Sequence, residues 1–194
     1  PFVRIVTLVA VYTHLVLAAA VAGWTTGENP LALTLLAALD PGSLVLMDRG
    51  FVSYGLLWSI LKRPCHFVVR GKRKLRMKKR VNLGEGDSLA DFETPRKARK
   101  LHPEMPKRWR LRVIHYRIPG FRPAFLITSL LDPVAYPKSD LVELYHARWE
   151  EELAYDEIKT HMASVPVVFR SQSPDGGKRP ADPIYSPRAR CRMI

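Results

Sequence analysis

Cysteine is nearly absent from this chain of 194 residues: Cys65 and Cys191 are the only two. Neither a disulfide framework nor a zinc-type Cys/His spacing can be built from them, and a reducing cytoplasm is the compartment they imply. Six histidines, at positions 14, 66, 102, 115, 146 and 161, form no ligand pair. Acidic residues are scarce: 18 Asp and Glu face 31 Lys and Arg, a formal charge of +13. The resulting pI of about 10.1 points to nucleic acid or another anionic surface as partner. There is no internal repeat. A long apolar stretch follows Arg4, but Thr13 and His14 interrupt it near its middle, which argues against a membrane span. Its end, Ala18 to Gly23, has the small-residue pattern of a signal-peptidase site. Val, Ile, Thr and Tyr dominate its first half and favour strands, so the expected structure is a hairpin of Val3–Thr13 and Leu15–Ala22.

What is present is a core and an uneven charge. With 47% hydrophobic residues, the chain is long enough to bury one. Positions 30–39 read as a leucine-rich helix, with Thr26 or Asn29 as cap and Pro30 in its first turn. The run Ser43–Met47 reads as a buried strand ending at Asp48. A helix from about Val52 to Leu61 should turn Leu56, Leu57 and Ile60 inward, and Cys65–Val69 reads as a further strand. Between Arg70 and Arg80, eight of eleven residues are basic. A second basic cluster runs from Arg96 to Arg112. Trp109–Ile118 and Arg122–Leu131 read as paired strands across Pro119-Gly120. Residues 163–194 hold five prolines and six Lys or Arg with little periodicity, and read as irregular.

The strongest local pattern lies on the helix expected from Ser139, its candidate cap, with Leu141, Leu144, Leu153 and Ile158 as its packing surface. Tyr145, Arg148, Glu152 and Lys159 are spaced so that offsets of 0, 3, 7 and 14 fall within about 60° on a helix of roughly 100° per residue. One stripe thus presents a phenol, a guanidinium, a carboxylate and an ammonium. Such charges at helical spacing are also the ordinary pattern of a solvated face. What raises their weight is Asp48, a carboxylate at the C-terminal end of a buried strand, where α/β sheets usually place chemistry.

These residues carry a resemblance. The stripe Tyr145, Arg148, Glu152, Lys159, with the stretch Pro41–Phe51 around Asp48, resembles the signature of insertion-sequence-four-type transposases of the DDE superfamily, over about residues 3–162. The resemblance implies an α/β fold: an RNase H-like mixed sheet, here incomplete because its first core strand is missing, with a mainly β insertion and a disordered C-terminal tail. It divides the chain into a partial core (1–69), a basic β insertion (70–137), a glutamate-bearing helix (138–162) and the tail (163–194).

The implied chemistry is metal-dependent DNA strand cleavage and transfer. Two Asp and one Glu hold two divalent ions, Mg²⁺ or Mn²⁺, whose hard character suits carboxylates. By resemblance Asp48 is the second aspartate and Glu152 the glutamate, chosen over Glu150 and Glu151 by its spacing. Tyr145, Arg148 and Lys159 would grip phosphate, with Arg49 assisting. Lys72, Arg73, Lys74 and Arg76 would add DNA contacts. The partner is double-stranded DNA at transposon ends, and a transposase dimer is allowed; the setting is the cytoplasm, at the nucleoid. The first aspartate has no counterpart, because Asp40 and Glu28 sit in turns. The expectation is therefore the C-terminal part of a transposase, catalytically impaired. Two other readings are a non-catalytic DNA-binding remnant that interferes with an intact transposase, and a secreted basic protein with a signal peptide.

Overall fold

In the computed structural model, the described residues are 2–13, 15–72, 75–118, 120, 122–157 and 190–193; at Arg80, 149–157 and 190–193 the description is of the backbone alone. Nine strands form one sheet in the order β2-β1-β9-β3-β4-β8-β7-β6-β5. The apolar N-terminus is the expected hairpin, β1 (Val3–Ala10) against β2 (Val16–Gly23), with Ile5 opposite Val21. It is a sheet component rather than a helix, and among the described residues no helix is long and apolar enough to cross a membrane.

Two βα units follow. Helix α1 (Glu28–Leu35) leads by a short 3-10 turn to β3 (Leu44–Met47), and α2 (Tyr54–Leu61) leads to β4 (His66–Arg70). The cap of α1 is Gly27, in an extended conformation, not Thr26 or Asn29. Asn29 and Pro30 fall inside the first turn, where a missing N–H costs nothing. For α2 the cap is Ser53, whose hydroxyl accepts the N–H of Leu56 at 3.2 Å.

Strands β3 and β4 are parallel, Leu44 opposite His66 and Met47 opposite Val69, and covered on both faces. That is why they read as unbroken apolar runs. Successive side chains alternate between the faces. Val45, Met47, Phe67 and Val69 pack with Leu31 and Leu35 of α1 and Leu56, Leu57 and Ile60 of α2. Leu46 and Val68 pack on the other face with Leu141 and Tyr145 of α4 (Lys138–Glu157). Helix α4 starts one residue before Ser139, whose hydroxyl donates to Asp140 at 2.8 Å. Of its expected packing residues, Leu141 is buried and Leu144 half-buried; the side chain of Leu153, and Ile158 altogether, lie outside the described residues.

Residues 70–137 extend the same sheet. β5 (Met77–Gly84), β6 (Asp87–Glu93), β7 (Arg108–Tyr116) and β8 (Ala124–Thr128) form an antiparallel meander ending against β4. Helix α3 (Arg96–Leu101) bridges β6 and β7. The second basic cluster is not uniformly exposed charge. Arg108 and Arg110 pair with Glu93 and Asp91 across the β6–β7 ladder, at 3.5 and 3.1 Å. Arg112 is fully buried. Its guanidinium grips Asp87 through two bonds of 2.9 and 2.5 Å, and donates to the carbonyls of Asp132 and Tyr136 at 3.3 and 2.6 Å. The segment entering α4 is thereby bolted to β6 and β7.

Among the described residues the tail contributes one element. Residues 158–189 lie outside the described residues, but Arg190–Met193 form β9, antiparallel to β1 and parallel to β3. The inner edge of the hairpin is thus paired at Leu8–Ala10.

Removing one partner of a buried, hydrogen-bonded ion pair leaves the other desolvated and costs about 3–5 kcal/mol. Asp87→Ala should therefore lower unfolding free energy by about that amount in urea titration. Asp91→Ala, which breaks an exposed pair, should cost about 0.2–1 kcal/mol. Equal losses would show that the Arg112 network is not the anchor.

Candidate active site

The alternation that buries Leu46 and Val68 beneath α4 carries one step further along each strand. It turns Asp48, just past β3, and Arg70, the last residue of β4, towards the α4 side. Asp48 stays extended, and the chain then makes a 3-10 turn at Arg49–Phe51. Buried Phe51 and Val52 pin that turn to the core. Lys72 ties it from outside, its ammonium 3.5 and 3.4 Å from the carbonyls of Gly50 and Val52. Lys72 therefore braces the turn after Asp48.

From the opposite side α4 presents Leu141, Tyr145 and Arg148, at i, i+4 and i+7, with exposures of 4%, 1% and 2%. Arg148 comes within 3.9 Å of the Asp48 carboxylate, an ion-pair distance too long for a hydrogen bond. Its guanidinium also stands 5.2 Å from the ring centre of Tyr145, within cation–π range. The Asp48 side chain is 49% exposed. The geometry is a buried cation beneath a half-open carboxylate.

Two phenols complete the group. Burial pushes the Tyr145 hydroxyl far above its ordinary pKa; Arg148 and Arg70 oppose that shift, and Asp48 and Tyr116 add to it. Tyr116, near the end of β7, is raised by burial as well, with Arg70 and Arg148 lowering it and Asp48 raising it. These mutual influences put Asp48, Arg70, Tyr116, Tyr145 and Arg148 in one neighbourhood. His146 meets the Tyr116 ring edge-on at 5.9 Å, a packing contact.

Of the sequence-derived site residues, the structure brings together Asp48, Tyr145 and Arg148. Glu152 lies on α4, one turn beyond Arg148, but its side chain is outside the described residues. Arg73, Lys74 and Lys159 are outside them altogether. Arg49 is exposed on the turn after Asp48. Arg76 sits beside Tyr54 at the start of α2, where its charge and backbone lower the phenol pKa against burial; it is not part of the Asp48 group. Sequence reasoning placed Arg70 in the basic run but missed it as a site residue. The signal was its position: it ends β4 as Asp48 follows β3, two residues after an α4-facing valine. Among the described residues no group of three or more His, Cys, Asp or Glu is gathered to hold a metal. Of the site residues whose side chains are described, Asp48 supplies the one hard, open oxygen donor. A cleft of about 720 Å³ lies near the other end of β3 and β4, lined by Leu44, His66, Asp140 and Glu143, and excludes Asp48.

A mixed sheet with helices on both faces, and a carboxylate where a parallel strand meets the guanidinium of a facing helix, defines an RNase H-like α/β domain. Residues 1–167 match the family described as the transposase DDE domain, and the chain belongs to that family. It is similar to the transposase InsG for insertion sequence element IS4 of Escherichia coli (strain K12), 32% identical over 177 residues, covering 90% of this chain and 40% of that protein. It is also similar to the putative transposase y4zB of Sinorhizobium fredii (strain NBRC 101917 / NGR234), 30% identical over 131 residues, covering 64% and 35%. The chain spans less than half the length of these curated relatives.

The Tyr145 hydroxyl is buried and has no hydrogen-bond partner among the described residues. Tyr145→Phe should thus leave stability unchanged or raise it by up to about 1 kcal/mol, while Tyr145→Ala should cost about 3–5 kcal/mol through the lost ring. Because the folded phenol pKa is raised, its stabilising contribution is complete below the unfolded value near 10 and falls as pH rises above it. Thermal melts of the parent should decline above about pH 10, and those of the Phe variant less steeply.

Proposed function

We propose that this chain carries part of the metal-dependent strand-cleavage and strand-transfer site of a DNA transposase, acting on double-stranded DNA at transposon ends. The observation that supports it best is the meeting of Asp48 with Arg148 and Tyr145, in a chain whose family is that of DDE transposases. Its setting would be the cytoplasm, where the nucleoid supplies the substrate.

Asp48 and Glu152 would hold Mg²⁺ or Mn²⁺. Arg148 and Glu152 are one turn apart on α4, so a helix that brings the first to Asp48 carries the second about 6 Å further along the same face. A bound divalent ion supplies charge neutralisation on attacking and leaving oxygens during in-line displacement at phosphorus. Arg148, Arg70 and Lys159 would contact the phosphate: guanidinium groups fit its oxygens in pairs, and Lys159 adds a point charge. Buried in the sheet-facing stripe, Arg148 is already ordered before substrate arrives, so little side-chain entropy is lost on binding. Tyr145, kept neutral by its burial, orients the guanidinium from beneath. Arg49 and the basic run around Lys72, Arg73, Lys74 and Arg76 would track the flanking backbone, although Lys72 is shared with the Asp48 turn.

Residues 1–194 offer two of the three carboxylates the family pattern calls for, so their cleavage activity by themselves should be at background. Metal binding can be tested independently of turnover. Fe²⁺ substituted for Mg²⁺ should cut the backbone near residues 48 and 152 on addition of ascorbate and peroxide. Asp48→Ala should abolish both cuts, and excess Mg²⁺ should suppress them. Cutting spread along the chain, or unaffected by Asp48→Ala, would remove this site from consideration.

DNA binding should separate from the carboxylates. In gel shifts, changing Lys72, Arg73, Lys74 and Arg76 to Gln should weaken affinity and flatten the salt dependence by about 0.9 log units of slope for each phosphate that is no longer neutralised. Asp48→Ala should preserve affinity or raise it. Unchanged binding in the Gln variant would assign the run to solvated surface.

A further inference from the structure

The two outer edges of the sheet are built to opposite rules. At one end β5 pairs only with β6 among the described residues. Its sequence runs Met-Lys-Lys-Arg-Val-Asn-Leu-Gly, with register breaks at Lys79/Val81 and Asn82/Gly84. Charge and irregularity of that kind keep an edge from pairing with another strand. At the other end β2 pairs only with β1 among the described residues. It reads Val-Leu-Ala-Ala-Ala-Val-Ala-Gly, with no charge and no proline. From Ala18 to Gly23 its register with β1 is unbroken. The backbone groups of β2 that point away from β1 are thus left open, on a neutral strand of a chain whose formal charge is +13. The side chains beside them are small or apolar. Ala18, Ala20 and Ala22 lean on the core of the α1 side, while Val16, Ala19 and Val21 are exposed.

We propose that the β2 edge joins a second copy of this chain, β2 against β2 in antiparallel pairing, so that two sheets become one across a two-fold axis. A two-fold contact sets the same surface against itself, and it needs a surface that does not repel its own copy. In a chain so basic, the neutral edge strand meets that requirement and β5 does not. The β2 edge also lies farthest from the cationic one: eight strand spacings of about 4.8 Å put about 38 Å between them. That is several times the screening length of about 8 Å at physiological ionic strength. The six residues from Ala18 to Gly23 span about 20 Å. Main-chain hydrogen bonds along that length hold the pair, and Val21 of each copy adds apolar burial on the exposed face. A contact of this size dissociates on dilution. None of the residues around Asp48 takes part.

Sedimentation of residues 1–194 at elevated salt, which keeps nucleic acid from bridging copies, should show a reversible equilibrium of monomer and dimer and nothing larger. Ala19→Lys together with Val21→Lys puts cations on the exposed side of the edge and should weaken the dimer by about tenfold or more. Ile5→Lys puts the same charge on the same face one strand inward, opposite Val21, and should change the dimer by no more than about threefold. A loss from Ile5→Lys equal to or greater than that from the β2 pair would place the contact on the sheet face and overturn the proposal. So would a chain that sediments as a monomer throughout, or as an open series of larger species. Should the β2 variant fail to fold, amide exchange in the parent decides. The β2 amides that point away from β1 should exchange about tenfold more slowly in the dimer than in the dilute monomer, while those bonded to β1 stay constant. Equal exchange at both concentrations would overturn the proposal.

Discussion

Burial of β3 and β4 on both faces is the constraint from which the site follows. A strand covered on one face is held in register by the contrast between its apolar and polar sides. A strand covered on both faces has no polar side to consult, and its register is held instead by shape against two different helical layers. Here α1 and α2 take Val45, Met47, Phe67 and Val69, and α4 takes Leu46 and Val68. Once those assignments are made, the directions of Asp48 and Arg70 are no longer free. The charged residues emerge where the apolar runs stop, on the side of the sheet where α4 already carries Tyr145 and Arg148.

The other half of the site depends on where α4 begins. The meander β5–β8 is more than an appendage to the core, because its buried guanidinium fixes the segment that launches the helix. Arg112 joins Asp87 on β6 to the carbonyls of Asp132 and Tyr136. The Asp132 carboxylate in turn accepts the N–H groups of Val134 and Ala135, at 2.8 and 3.2 Å. A helix anchored so firmly at its first turn can hold a guanidinium beneath a carboxylate from a position two turns further in, without a hydrogen bond between them.

The two βα units, the hairpin and the glutamate helix were legible in the sequence because each rests on local periodicity. The inward set Leu56, Leu57 and Ile60 emerged from spacing alone and is buried. The same reasoning identified Asp48, Tyr145 and Arg148, because a strand end and a helix stripe are local patterns. It missed what depends on partners distant in sequence. Arg112 looked like one more cation in a basic cluster, since nothing local announces that Asp87 lies across the ladder. β5 and β6 were hidden by the charge of Lys78, Lys79 and Arg80, which belong to an outermost strand. Such a strand can carry a cationic sequence because charge there deters unwanted pairing. Arg70 was overlooked for the opposite reason: it opened a run of eight cations, and its neighbours disguised its position on the sheet.

The insertion of β9 between β1 and β3 also governs the order in which this molecule is assembled. Met193 pairs with Leu8 and Met47, so the contacts that join the hairpin to the rest of the sheet span nearly the whole chain. Closing so long a loop takes place late, after the local hairpin and the parallel β3–β4 unit have formed.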